Sequence, residues 1–291
     1  MICFILGRIL LMEAALLALP MVVGLWYGES ALPFLIPMGL LALFGALFGL
    51  RRPQRAALYA RDGLAVVALA WIAVSLFGAL PFYLSGSMES YVDCFFETVS
   101  GFTTTGASIL REVESLDRGI LFWRSFTHWV GGMGVLVFVM AIVPMSGDGH
   151  GMHLLRAEVP GPSVGKLVSR MSDSAKILYG IYLVITVVEI LLLLAGGMSL
   201  FDACIHSFGS AGTGGFSSRN LSVGAYNNPY FDVVIGIFML LFGINFNLYY
   251  FLLTRKFREA LGSEELRTYL IIVAVAVGAI TINIMHLYES V

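Results

Sequence analysis

Seven apolar stretches set the rhythm of this chain: residues 2–26, 31–50, 62–84, 121–145, 176–197, 229–254 and 268–288. Each approaches or exceeds the about 20 apolar residues that an α-helix needs to cross a bilayer. Two long gaps, 85–120 and 198–228, hold shorter amphipathic stretches that cannot cross. Residues 146–175 form the one sizeable polar loop. The pattern predicts an all-α polytopic membrane protein with about seven transmembrane helices.

Composition agrees. The chain is 58% hydrophobic and 12% charged, against roughly 25% charged in a soluble domain, so it lacks the polar surface to cover a soluble globule. A net charge of −2 gives no electrostatic case for a nucleic-acid partner, and membrane lipid is the expected surrounding. Cys3, Cys94 and Cys204 are isolated and offer neither a disulfide framework nor zinc spacing. The first stretch is too long for a signal-peptide core and lacks a small-residue cleavage site, so it reads as a spanning helix.

Charge then orients the spans. Of the 17 Lys and Arg residues, thirteen fall on one side of the alternating spans. They are Arg8, Arg51, Arg52, Arg55, Arg61, Arg156, Lys166, Arg170, Lys176, Arg255, Lys256, Arg258 and Arg267. Arg111, Arg118, Arg124 and Arg219 fall on the other. The positive side is cytoplasmic by the positive-inside rule, which puts the N-terminus inside.

The gaps carry a repeat. Thr104-Thr105-Gly106 and Thr213-Gly214-Gly215 are both Thr-x-Gly turns, 109 residues apart. The same interval sets Asp93 on Asp202, Ser108 on Ser217 and Gly134 on Gly243. The predicted organisation is a leading helix pair (1–50), a first helix–pore loop–helix repeat (62–145), a cytoplasmic linker (146–175), a second repeat (176–254) and one helix of a third (268–291).

Each gap predicts a short re-entrant pore helix followed by a turn, over 91–108 and 201–217. Irregular polar backbone at membrane depth persists only when buried in protein or lining water. A helix that enters from outside and stops midway aims the negative end of its dipole at the membrane centre, favouring a cation. Glycine permits backbone angles that let carbonyls line up and replace part of an ion's water shell. The candidate ion-binding residues are Thr104, Thr105, Gly106, Thr213, Gly214 and Gly215. No cofactor is expected beyond the transported cation.

Other polar residues are less decisive. Glu97, in the first pore helix, either draws cations or hydrogen-bonds within the pore domain. Glu89, Glu112, Glu114 and Asp117 read as a solvated outer face. Asp93 and Asp202 read as caps near the pore-helix starts, and Arg124 as a side chain snorkelling outward. Glu13 and Glu189 lie within spans, where an ionisable group flags function, with no partner evident from sequence. His150 and His153 are too sparse for a metal site. Gly45 and Gly49 fit a small-xxx-small helix contact, within the chain or at a dimer face. No metalloprotease, hydrolase-elbow or Walker motif is present, so an enzyme is not expected.

Gly101-Phe102-Thr103-Thr104-Thr105-Gly106-Ala107 resembles the first filter of the TrkH/KtrB/HKT superfamily of potassium and sodium transporters. Trp129-Val130-Gly131-Gly132-Met133-Gly134, the linker from Gly151 to Pro162, Thr213-Gly214-Gly215-Phe216-Ser217 and Asn245-Phe246-Asn247-Leu248 are similar to further family motifs, in family order. The resemblance implies uptake of K+, with Na+ as the alternative cation, across the bacterial inner (plasma) membrane, with Gly106 and Gly215 as filter glycines. It also implies a homodimer and a cytoplasmic nucleotide-binding regulatory subunit. The family carries four such repeats, and this chain carries two and a helix. It therefore reads as a truncated frame, or as a half-unit needing another copy or a missing half-chain. The alternative function is a non-conducting fragment or a modulatory partner of a complete transporter.

Overall fold

The computed structural model describes residues 2–50, 60–134 and 171–285. The chain divides into two compact units, Met1–Phe242 and Gly243–Val291. Most of the predicted linker, with His150, His153 and the family-like stretch 151–162, lies outside the described residues, as does the end of the predicted span 121–145.

In the first unit the leading pair is α1 (Ile2–Leu16) running on into α2 (Ala18–Trp26), then α3 (Leu32–Gly49). α1 and α3 pack backbone to backbone: a Cβ on Gly49 would lie 2.9 Å from the Gly7 carbonyl carbon, and one on Gly45 would lie 2.7 Å from Leu11 Cγ. The small-residue spacing thus serves a contact inside the chain.

The first repeat follows as α4 (Ala60–Gly78), α5 (Leu80–Leu84), α6 (Tyr91–Phe102) and α7 (Arg118–Gly132). The second runs α8 (Met171–Ala195), α9 (Leu200–Ala211) and α10 (Pro229–Phe242). The short helices α6 and α9 each have 12 residues, about 18 Å at 1.5 Å per residue, too little to cross. Their first and last residues are related by the 109-residue interval, so the sequence repeat is also a structural one.

α7 holds the unit together. Its residues Gly119–Val130 are all buried except half-buried Phe122, the pattern of a helix enclosed by protein. Trp123 Nε1 donates to the Gly78 carbonyl at 2.9 Å, and Trp129 Nε1 to Thr186 Oγ1 at 3.1 Å. Phe126 stacks on Trp129, and Phe208 of α9 packs against both. Outward faces are apolar instead: Leu47, Leu64, Val184 and Leu191 are each about 60% exposed, as lipid-facing side chains should be.

The second unit holds α11 (Phe246–Leu253), α12 (Phe257–Leu261) and α13 (Glu264–Ile284). Asn245 caps α11, its Oδ1 accepting from Asn247 N at 3.0 Å, while its Nδ2 donates to Glu265 at 3.0 Å. No residue of α13 is buried.

Five helices among the described residues are long and apolar enough to cross a membrane: Ile2–Trp26, Leu32–Gly49, Asp62–Leu84, Ala175–Ala195 and Glu264–Ile284. The predicted span 229–254 is two helices rather than one continuous helix. The helix stops at Phe242 and a new one starts at Phe246, because Gly243 and the capping Asn245 end one ladder and begin another.

Candidate functional site

α6 and α9 end in the same way. At the first turn Thr104 N donates to the Gly101 carbonyl (3.0 Å) and Thr105 N to that of Ser100 (2.9 Å). At the second, Thr213 N donates to Ser210 (2.8 Å) and Gly214 N to Gly209 (3.1 Å). This is the Schellman pattern, which needs a left-handed residue just past the helix. Thr104 (φ 54°) and Thr213 (φ 56°) occupy that place, and Gly106 (φ 73°) and Gly215 (φ 78°) follow with positive φ two residues on. Glycine takes such angles freely. Threonine there is a β-branched outlier, of the strained kind that clusters at functional sites.

The two turns meet. A Cβ on Gly106 would collide with the Gly214 carbonyl oxygen, so only a bare backbone allows the approach. Thr103 and Thr105 hydroxyls lie 2.9 Å apart at the exposed side of the first turn. The structure therefore brings Gly106 against Gly214, with the other predicted residues, Thr104, Thr105, Thr213 and Gly215, flanking that contact in the same two turns. Alternating sign of φ is a way for successive carbonyls to face one side, and carbonyl rows suit a cation stripped of part of its water.

Behind the turns lie polar anchors. Glu97 is buried; it accepts from Ser108 Oγ at 2.9 Å and Ile109 N at 3.0 Å, and Arg124 Nε reaches it at 2.7 Å. Of the two readings for Glu97, the hydrogen-bonding one is what the geometry displays. Arg124 is 4% exposed and does not snorkel: a buried acid on a neighbouring helix holds it. At the 109-residue interval Glu97 is replaced by His206, whose Nε2 faces Ser217 Oγ at 3.0 Å. One shoulder is pinned by a carboxylate and the other by an imidazole.

At the start of α9, Ser199 is the N-cap, accepting from Asp202 N at 3.1 Å. The Asp202 carboxylate takes hydroxyls from Ser199 (2.9 Å) and Ser218 (2.5 Å), so it binds side chains rather than capping the helix amides. Burial alone would push its carboxyl up, but those two hydroxyls and Arg219 hold it below the usual carboxylate range. Asn220 links the loops that follow the two turns: its Nδ2 donates to Glu112 (2.7 Å), its N to Glu114 (3.1 Å), and its Oδ1 accepts from Val113 N (2.9 Å). Glu112 and Glu114 are thus exposed but engaged, not a free solvated face. Glu29 supplies another cap missed from sequence, accepting from Gly119 N at 2.9 Å at the start of α7. Glu13 and Glu189 are buried, Glu13 against Gly78 of α4.

Two apolar-helix repeats, each with a pore helix and a Thr/Gly turn, define a polytopic membrane protein of the helix–pore loop–helix class. The family model described as "TrkH: Cation transport protein" matches residues 34–286, and the chain belongs to that family. The Trk system potassium uptake protein TrkH of Salmonella typhimurium is 39% identical over 259 residues, 87% of this chain and 53% of that protein. TrkG of Escherichia coli strain K12 is 34% identical over 276 residues, 93% of this chain and 56% of that one. The crystal structure of the potassium transporter TrkH from Vibrio parahaemolyticus matches with a TM-score of 0.86 at 29% identity, over 99% of this chain and 60% of that chain. This chain thus spans about half the length of the curated relatives it matches.

Proposed function

We propose that this chain takes part in K+ uptake, its two Thr/Gly turns contributing backbone carbonyls to a cation filter. The observation that carries this reading is the shared geometry of the turns: positive φ at Thr104 and Gly106, and again at Thr213 and Gly215, with Gly106 packed on Gly214. The relatives named as potassium uptake proteins support the choice of cation. Glycine at both filter positions suits a carbonyl ring for K+, with Na+ the competing cargo. The protein works in a bacterial inner membrane with its N-terminus in the cytoplasm, in line with the Lys and Arg distribution. Two filter segments do not surround an ion, so further segments complete the ring; the partners proposed are a second copy or the missing half-chain, and a cytoplasmic nucleotide-binding regulatory subunit.

The test is K+-limited growth of cells without their own uptake systems, expressing these 291 residues or the Gly106→Arg variant. Rescue that the variant abolishes supports the proposal. Absence of rescue despite confirmed membrane insertion favours the non-conducting or modulatory reading.

A further inference from the structure

We propose that Arg124 and His128, one turn apart on α7 of the first repeat, are positioning residues for the turn of the second repeat, 212–217. The proposal rests on the filter reading of that turn and adds what sets its shape. Residues four apart share one face of a helix, and this face is spent on the neighbouring turn. The Arg124 guanidinium lies 3.6 Å from the centre of the Phe216 ring, and its Nη1 donates to the Ser217 carbonyl at 3.2 Å. The His128 ring stacks on the same Phe216, with centroids 3.9 Å apart and planes at 27°. It also closes on Gly214, where a Cβ would lie 2.5 Å from Nε2, and its carbonyl oxygen lies 2.8 Å from a Cβ on Gly212.

Gly212, Gly214, Phe216 and Ser217 are therefore all met by two residues of a helix from the other repeat. The arrangement runs one way. At the 109-residue interval Arg124 and His128 fall on Val233 and Ile237 of α10, apolar and more than half or half exposed at 58% and 50%. Phe216 in turn has only Ala107 as its counterpart. Glu97, 2.7 Å from Arg124 Nε, cancels a positive charge that would otherwise sit behind a cation path. One ion pair thus ties the first shoulder, through Ser108, to the second, through Ser217. Since carbonyl placement and field decide between K+ and Na+, movement of this turn alters selectivity without touching the ion.

The experiment is amide hydrogen exchange on the full 291-residue chain in lipid bilayers, in KCl and in NaCl. The wild type exchanges more slowly over 212–217 in K+ than in Na+. Glu97→Gln with Arg124→Gln, which strands no charge, and His128→Ala each speed exchange there by at least about tenfold and erase the K+/Na+ difference, with α4 and α13 unchanged. Arg124→Lys keeps the pair with Glu97 but lacks a planar guanidinium to stack on Phe216, so it too loosens the turn. Complete rescue by lysine, unchanged exchange, or an equal rise in every helix overturns the proposal. Faster exchange in the variants, with no K+/Na+ difference in the wild type, supports the contacts and sinks the filter reading instead.

Discussion

Thr104 and Thr213 take left-handed backbone angles that glycine would take more easily. A non-glycine residue there costs about 1–2 kcal/mol, so the threonines are kept for something other than stability. Thr213→Gly should leave the melting temperature unchanged or raised and weaken K+ uptake; a clear fall in melting temperature would contradict the strain. The Glu97–Arg124 pair makes a second prediction. Arg124→Gln strands a buried carboxylate and should cost about 3–5 kcal/mol in a denaturation assay, whereas Glu97→Gln with Arg124→Gln should cost much less. At this scale the glycines at 106 and 215 were legible, because their conformational freedom belongs to the residue type. The threonine angles were not, since they come from how each helix ends. Nor was Arg124 legible: its partners lie 27 and 93 positions away, and from sequence it is only an arginine near a span end.

Helices follow from apolar periodicity, and the short α6 and α9 emerged because the amphipathic stretches in their gaps are too short to span. What periodicity misses is enclosure. α7 carries Arg124, Ser125, Thr127 and His128 among its apolar residues, protein rather than lipid surrounds it, and Gly131 sits where a Cβ would collide with the Phe102 carbonyl oxygen. Gly131→Leu should therefore prevent α6 from seating on α7 and abolish recovery of folded protein by size-exclusion chromatography, while the same change at Gly39, which faces open space, should be tolerated. The break at Gly243–Asn245 was equally hidden, because apolar residues continue through both helices. Asp202 adds a pH dependence at the start of α9. Its carboxyl is lowered in the fold, so its stabilisation is complete above the unfolded value of about 3.9 and is lost as pH falls through the lower folded value. Asp202→Asn should remove that acid-sensitive component from melting curves taken between neutral and acid pH.

At the scale of the molecule, two copies of one design share a single buried helix, and their turns touch at Gly106 and Gly214. The proposed orientation, read from the Lys and Arg distribution, has the N-terminus in the cytoplasm. Exposed Cys3, in a chain lacking the other two cysteines, should then react with a membrane-impermeant maleimide only after cells are opened. The central claim is that a cation sits where the two turns meet. The most direct measurement is anomalous diffraction from crystals of this chain grown in Rb+, a scatterer that replaces K+. A peak within coordination distance of the carbonyls of Thr104–Gly106 and Thr213–Gly215, absent when Gly106→Arg is crystallised, is the predicted result. Rb+ bound elsewhere, with none between the turns, would contradict it.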